Sequence, residues 1–134
     1  MSAIKIISLN VKGLNKAIKR KKIISWLKRE KVHIAFLEET HLTDSVHEQL
    51  KTDWIGQVYY SSFSSNKRGV AIIINKNTPF LVEHYVKDTE GRYVLISGSL
   101  NGEHFMLGCV YAPNVFNNAF YSKLLADLSP LVSP

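Results

Sequence analysis

Three short stretches of this chain place oxygen- and nitrogen-bearing side chains just beyond apolar runs. Asn10 follows Ile4–Leu9, Glu38-Glu39-Thr40-His41 follows Ile34–Leu37, and Tyr111-Ala112-Pro113-Asn114 follows the run that holds Cys109. Runs of that length are strand material, and sites are commonly carried by the loops at strand ends. If the three strands are neighbours, an amide, a carboxylate and a phenol gather at one rim. A carboxylate there suits Mg2+, which takes oxygen ligands and keeps several waters. A side-chain amide can orient a phosphate oxygen without adding negative charge, and a tyrosine hydroxyl can donate to the same phosphate. The pattern points to a hard-metal phosphate site. Plainer roles compete: Glu39 as a solvated loop acid, Asn10 as a turn former, Tyr111 as a strand-end core aromatic with its hydroxyl at the rim. Glu38 reads as exposed scaffold. His41, two residues past Glu39, is expected to point elsewhere, and His33, His47, His84 and His104 share no metal-ligand spacing and receive no role.

The elements that must position these groups follow from periodicity. Ile4–Leu9 is a strand, and Asn10–Asn15 is loop chemistry rich in Asn and Gly. From Ala17 to Glu30 the apolar Ile23, Ile24 and Leu27 recur at helical spacing, opposite a face of Lys21, Lys22, Ser25, Lys28 and Arg29. Ile34–Leu37 is a continuous apolar run, the mark of a strand covered on both faces, and is expected to lie parallel to the first. Thr43 or Asp44 caps a short helix to Leu50. Strands follow over Gln57–Ser62, Val70–Ile74, Phe80–Lys87, Arg92–Leu100 and His104–Tyr111, with Asn101-Gly102 as a hairpin turn. A last helix runs from Asn117 to about Leu128, ending before Pro130. This order predicts one sheet with helices on one face, leaving the other face bare; the domain over residues 1–134 therefore reads as incomplete.

Composition narrows the class. The 134 residues are 46% hydrophobic and 21% charged, ordinary for one globular domain, and the single cysteine, Cys109, permits neither an internal disulfide nor a cysteine-built zinc site. Cys109 and both tryptophans read as packing residues. No apolar run approaches the ~20 residues that span a bilayer, and the opening residues lack a signal-peptide pattern, so an intracellular setting, the nucleus included, is expected rather than secretion or a membrane. Seventeen Lys and Arg against eleven acids give a net charge of +6, which favours polyanionic partners. Many of the cations lie in the first quarter, from Lys12 to Lys31. The Lys19–Lys22 run reads first as a solvated helix face.

The segments Ser8-Leu9-Asn10-Val11-Lys12-Gly13-Leu14, Phe36-Leu37-Glu38-Glu39-Thr40-His41-Leu42 and Val110-Tyr111-Ala112-Pro113-Asn114 together resemble the first three motifs of the endonuclease/exonuclease/phosphatase superfamily. The closest likeness is to the endonuclease domain of non-LTR retrotransposons of the long-interspersed-element type; exonuclease III-like abasic-site nucleases are more distant. The resemblance runs in order from residue 4 to about residue 128. It implies an α/β fold, the N-terminal part of a four-layer α-β-β-α sandwich with a mixed sheet and flanking helices. It also implies Mg2+-dependent cleavage of DNA phosphodiesters that leaves a 3′-hydroxyl, with Mn2+ as an alternative ion and no small-molecule cofactor. By position, Glu39 matches the metal-ligand glutamate, Asn10 the asparagine at the metal–phosphate site, and Tyr111 the tyrosine on the scissile phosphate. Lys67 and Arg68, and Lys12 beside Asn10, fall where DNA contacts are expected.

The family's later motifs, an Asp-x-Asn pair, a further aspartate and a terminal Ser-Asp-His, have no counterpart here. The sequence thus implies a site whose second half is missing and negligible turnover alone. Two other functions fit parts of the pattern: a non-catalytic basic nucleic-acid-binding remnant, and a phosphatase-branch member acting on phosphoinositides.

Overall fold

Strand β1 (Ile6–Asn10) runs through helix α1 (Ala17–Arg29) into β2 (Ile34–Glu38), and the two strands pair in parallel with Ile6 opposite Ile34 and Asn10 opposite Glu38. In this computed structural model, which describes residues 3–52 and 54–132, the remaining elements are α2 (Asp44–Gln49), β3 (Ile55–Ser61), β4 (Val70–Asn75), β5 (Phe80–Lys87), β6 (Tyr93–Leu100), β7 (Glu103–Val110) and α3 (Asn118–Val132). Met1, Ser2, Asp53, Ser133 and Pro134 lie outside the described residues, and with them the expectations about the first and last positions of the domain. Thr43 caps α2, accepting a hydrogen bond from the Val46 amide. Among the described residues no helix is long and apolar enough to cross a membrane.

The α/β class and the mixed sheet hold, but the strands form two sheets instead of one. The first has order β1-β2-β4-β3, with only the β1–β2 pair parallel; the second is the antiparallel β5-β6-β7. They pack face to face. Ile34, Ile72 and Ile74 of the first sheet share a core with Phe80, Val94, Ile96, Leu100 and Cys109 of the second. The alternate residues Ala35, Leu37, Ala71 and Ile73 face the other way, onto Leu27 of α1 and onto Leu42, Leu50 and Trp54. Full burial on both faces explains the unbroken apolar runs of β2 and β4, each large side chain contributing roughly 1.5–3 kcal/mol. The second layer expected to be missing is thus supplied by the β5–β7 meander. Apolar surface nevertheless stays exposed, at Ile6 on edge strand β1 and Phe105 on edge strand β7.

Helix α3 starts where expected, with Asn117 accepting from the Phe120 amide, but continues through Pro130 to Val132. Pro130 falls in the last turn, so its missing N–H removes one bond near a helix end that was about to fray.

Register decides where the loops lie. Glu38 is level with Val70, Val70 with Ser61, and Tyr93 with Val110. The residues after β1, β2, β3 and β7, and those before β4 and β6, therefore share one end of the sandwich.

Candidate functional site

At that end the Asn10 amide donates from Nδ2 to Glu39 Oε2 at 2.5 Å. Asn10 Oδ1 accepts from the Lys12 amide at 3.1 Å, a local turn that fixes which way the side-chain amide faces. Asn10 therefore presents N–H groups to Glu39, and its second N–H remains for another acceptor. The Glu39 side chain is only 25% exposed, so it is not a freely solvated loop acid. Lys12 is exposed, and its carbonyl accepts from Lys19 Nζ at 3.3 Å.

Glu39 has φ 54 and His41 φ 56, so the chain turns back on itself twice just past β2. That turn brings His41 Nε2 to 3.8 Å from Glu39 Oε1, where the sequence suggested it would point elsewhere. Backbone bonds brace the turn from two sides: the Gly13 and Leu14 amides donate to the Glu39 and Thr40 carbonyls, and the Thr40 and His41 amides donate to the Gly69 and Arg68 carbonyls. Gly69 (φ +95) must be glycine, because an added Cβ would meet Thr40 Oγ1 at 2.4 Å.

Behind the turn lies a polar chain that metal-ligand spacing did not reveal. Thr40 Oγ1 shares a 2.8 Å hydrogen bond with His47 Nε2, and His47 Nδ1 shares one of 2.9 Å with Ser62 Oγ. The fully buried imidazole stacks on Tyr60 at 4.7 Å. Burial pushes its pKa down to about 4, so it is neutral near pH 7 and serves as a bridge between two hydroxyls. The partners are hydroxyls, not metal-binding groups, so the spacing of His, Cys and acids in the sequence does not mark it.

The other candidates lie along the same rim. Lys67 and Arg68 both stand over the Phe63 ring, at 5.3 and 4.2 Å, and Arg68 pairs with Glu90 at 3.3 Å. The loop continues sideways: Asn15 Nδ2 donates to the Ser65 carbonyl, and the Gly69 amide donates to the Gly91 carbonyl. Next to Gly91, Arg92 and Tyr111 bond each other, Tyr111 N to Arg92 O at 2.6 Å and Arg92 Nη1 to Tyr111 O at 3.3 Å, with the guanidinium 5.4 Å from the phenol ring. A second link crosses the sandwich, where the Cys109 thiol donates to the Leu37 carbonyl at 3.5 Å. Two residues beyond each of those atoms lie Tyr111 and Glu39. Asn10 and Glu39 are thus in direct contact, while Tyr111 reaches the same rim through Gly69, Gly91 and Arg92. Arg92 escaped the sequence reading because nothing in its neighbourhood marks it.

Glu38 is half-buried rather than exposed scaffold. Burial first, and the Glu39 charge second, hold its carboxyl above the usual range. Burial and then the Glu38 charge push the Cys109 thiol up to about 12, making it inert. Among the described residues no group of three or more His, Cys, Asp or Glu side chains is placed to hold a metal ion. The rim offers two half-buried carboxyl groups, Glu38 and Glu39, an oriented amide, an imidazole and a row of cations. That set can receive an anion beside a hard cation.

Comparison with known proteins adds four findings. The profile described as "Endonuclease/Exonuclease/phosphatase family" matches residues 7–129. A protein of transposon TX1 from Xenopus laevis, described as an uncharacterized 149 kDa protein, is 24% identical over 111 residues, 83% of this chain and 8% of that one. Among solved structures, the endonuclease domain of TRAS1, a telomere-specific non-LTR retrotransposon, superposes with a TM-score of 0.70 at 14% identity, over 98% of this chain and 55% of that chain. Zebrafish (D. rerio) TDP2 complexed with a single-strand DNA product gives 0.66 at 19% identity, over 98% and 56%. At such identities the structures establish a shared fold, and the chain spans little more than half their length.

Proposed function

Because this chain belongs to the endonuclease/exonuclease/phosphatase family, we propose that its rim is part of a Mg2+-dependent DNA endonuclease site, of the kind that opens a strand to leave a 3′-hydroxyl. The observation that carries this reading is the Asn10–Glu39 contact, made at the level ends of two parallel strands. The named activity of the retrotransposon endonuclease domain and the DNA product on TDP2 support DNA as the substrate.

The donor set fits a hydrated Mg2+, which is usually held by one or two carboxylates together with waters and substrate phosphate, and Mn2+ would be accepted in the same way. Glu39 would hold the cation, with Asn10 beside it. When bound, the cation supplies neutralisation of charge on the phosphate and the leaving oxygen. Asn10 would present its free N–H to a phosphate oxygen, and Tyr111 its hydroxyl, so the scissile group is fixed by fork-like contacts. Lys12, Lys67 and Arg68 would hold the flanking backbone by charge. Thr40 and His47 keep Glu39 in place without touching substrate.

A base must still take the proton from the attacking water, and we assign none among the described residues. His41 leans on Glu39, and His47 is enclosed. A missing base costs ~10²–10⁴-fold, so this chain alone is expected to turn over negligibly. The test is Mg2+-dependent relaxation of supercoiled plasmid by the chain joined to the other half of a family endonuclease domain. Nicking that is lost with EDTA and with Glu39→Ala is expected. Nicking indifferent to Glu39→Ala, or hydrolysis of phosphoinositides in place of DNA, would count against the reading.

A further inference from the structure

Away from the rim, α1 carries a second feature that the nuclease reading does not use. Lys21, Lys22, Ser25, Trp26 and Arg29 line an open groove of about 420 Å³ along its outer face. Lys21, Lys22 and Arg29 are exposed, while Trp26 packs one side against the core under the helix and turns the remainder to the groove. We propose that this groove is a binding surface for single-stranded nucleic acid, with the three cations on successive phosphates and a base resting on Trp26. The proposal goes beyond the nuclease reading and stands without it.

Charge is the first argument. The thirteen residues of α1 include Lys19, Arg20, Lys21, Lys22, Lys28 and Arg29 and no acid. Four of those cations sit near the N-terminal end, where the helix dipole is itself positive, and neither an acid in the first turn nor a side-chain cap at Lys16 offsets them. The acid that follows the helix in sequence, Glu30, pairs with Lys5 at 3.5 Å. Among the described residues none of Lys21, Lys22 and Arg29 takes part in an ion pair. A helix needed only to bury Leu27 gains nothing from this arrangement; a polyanion laid along it removes the repulsion.

Shape is the second. Lys12, Lys16 and Lys19 extend the basic surface back to Asn10, with Lys19 Nζ on the Lys12 carbonyl. The cations therefore form a track from the rim along α1, about 20 Å at the helical rise of 1.5 Å per residue. An indole set among spaced cations matches a strand whose phosphates and unpaired bases alternate. An acidic peptide would use the charge and leave the indole idle.

The experiment is fluorescence titration of the whole chain with a short oligothymidine strand, in a Trp54→Phe background so that Trp26 alone reports. Binding should quench Trp26 emission and weaken as salt rises. The combined Lys21→Ala, Lys22→Ala, Arg29→Ala variant should bind at least about tenfold more weakly, with a salt slope lower by about 2, at ~0.7 per lost contact. Trp26→Phe, which keeps an aromatic ring on the core and is read by the anisotropy of a dye-labelled strand because it removes the reporting indole, should bind less tightly. Equal affinity for the triple variant, unaltered Trp26 emission, or equal quenching by polyglutamate would overturn the proposal. Loss of the groove with Glu39-dependent nicking intact removes only this inference, and intact binding without nicking removes only the nuclease reading.

Discussion

The carboxylate of Glu39 meets the side-chain amide of Asn10 at 2.5 Å, although the two residues are 29 positions apart in sequence. Parallel pairing with Asn10 opposite Glu38 makes the encounter possible, and the left-handed turn at Glu39 completes it by swinging that side chain back toward β1. The chemistry proposed for this chain depends on that turn keeping its shape, and the groups that hold it can each be tested.

His47 is the first. Its folded pKa, about 4, lies below the ordinary 6.5 because burial disfavours the charged ring. Between those values the unfolded chain binds the proton and the folded chain does not. The contribution is therefore complete above pH 6.5 and is lost as pH falls toward 4, by roughly 3 kcal/mol in total. Urea unfolding of wild type and His47→Gln from pH 7 to pH 4.5 should show a steeper acid loss in the wild type. Parallel curves would mean that the imidazole is not held neutral inside.

Gly69 and Gly102 form a matched pair. Both have positive φ, but a Cβ at Gly69 strikes Thr40 Oγ1 at 2.4 Å and one at Gly102 meets nothing within 4 Å. Gly102→Ala should cost only the left-handed strain, about 1–2 kcal/mol. Gly69→Ala should cost clearly more and disturb the Glu39 turn, visible as amide shifts at Thr40 and His41. Equal denaturation midpoints for the two variants would contradict the close packing.

Helix α3 has no fully buried residue, so its attachment relies on few contacts. Tyr93 Oη donates to Asp127 Oδ2 at 2.5 Å and accepts from Lys123 Nζ at 2.7 Å. Tyr93→Phe should lower stability by about 1.5–3 kcal/mol, the range for bonds to charged groups. Hydrogen exchange should rise first in α3 while β4 and β6 stay protected. Unchanged protection of α3 would place its anchorage elsewhere.

Much of this arrangement was legible in the residues. The apolar runs of β2 and β4 announced strands covered on both faces, and Asn101 and Gly102, at φ 51 and 84, make the hairpin turn their types predict. Periodicity reports that a face is covered and not by what, so the division into two sheets was hidden. The return of His41 to Glu39 was hidden as well, since a positive φ at a glutamate has no mark in sequence. Tyr111 is singled out as a candidate by its place after a strand. Arg92, which binds it, has no such mark, because its role follows from Gly91 lying against Gly69.

The proposed site has one cation position, at the Asn10–Glu39 contact, and Mn2+ can report it on this chain without turnover. In an amide-resolved NMR titration, paramagnetic broadening should centre on Asn10, Glu39 and His41, reach Gly69 and weaken toward Tyr111. It should vanish with Glu39→Gln or excess EDTA. Broadening centred on Glu30, Asp88 or Asp127, or broadening at the rim that persists in Glu39→Gln, would contradict it.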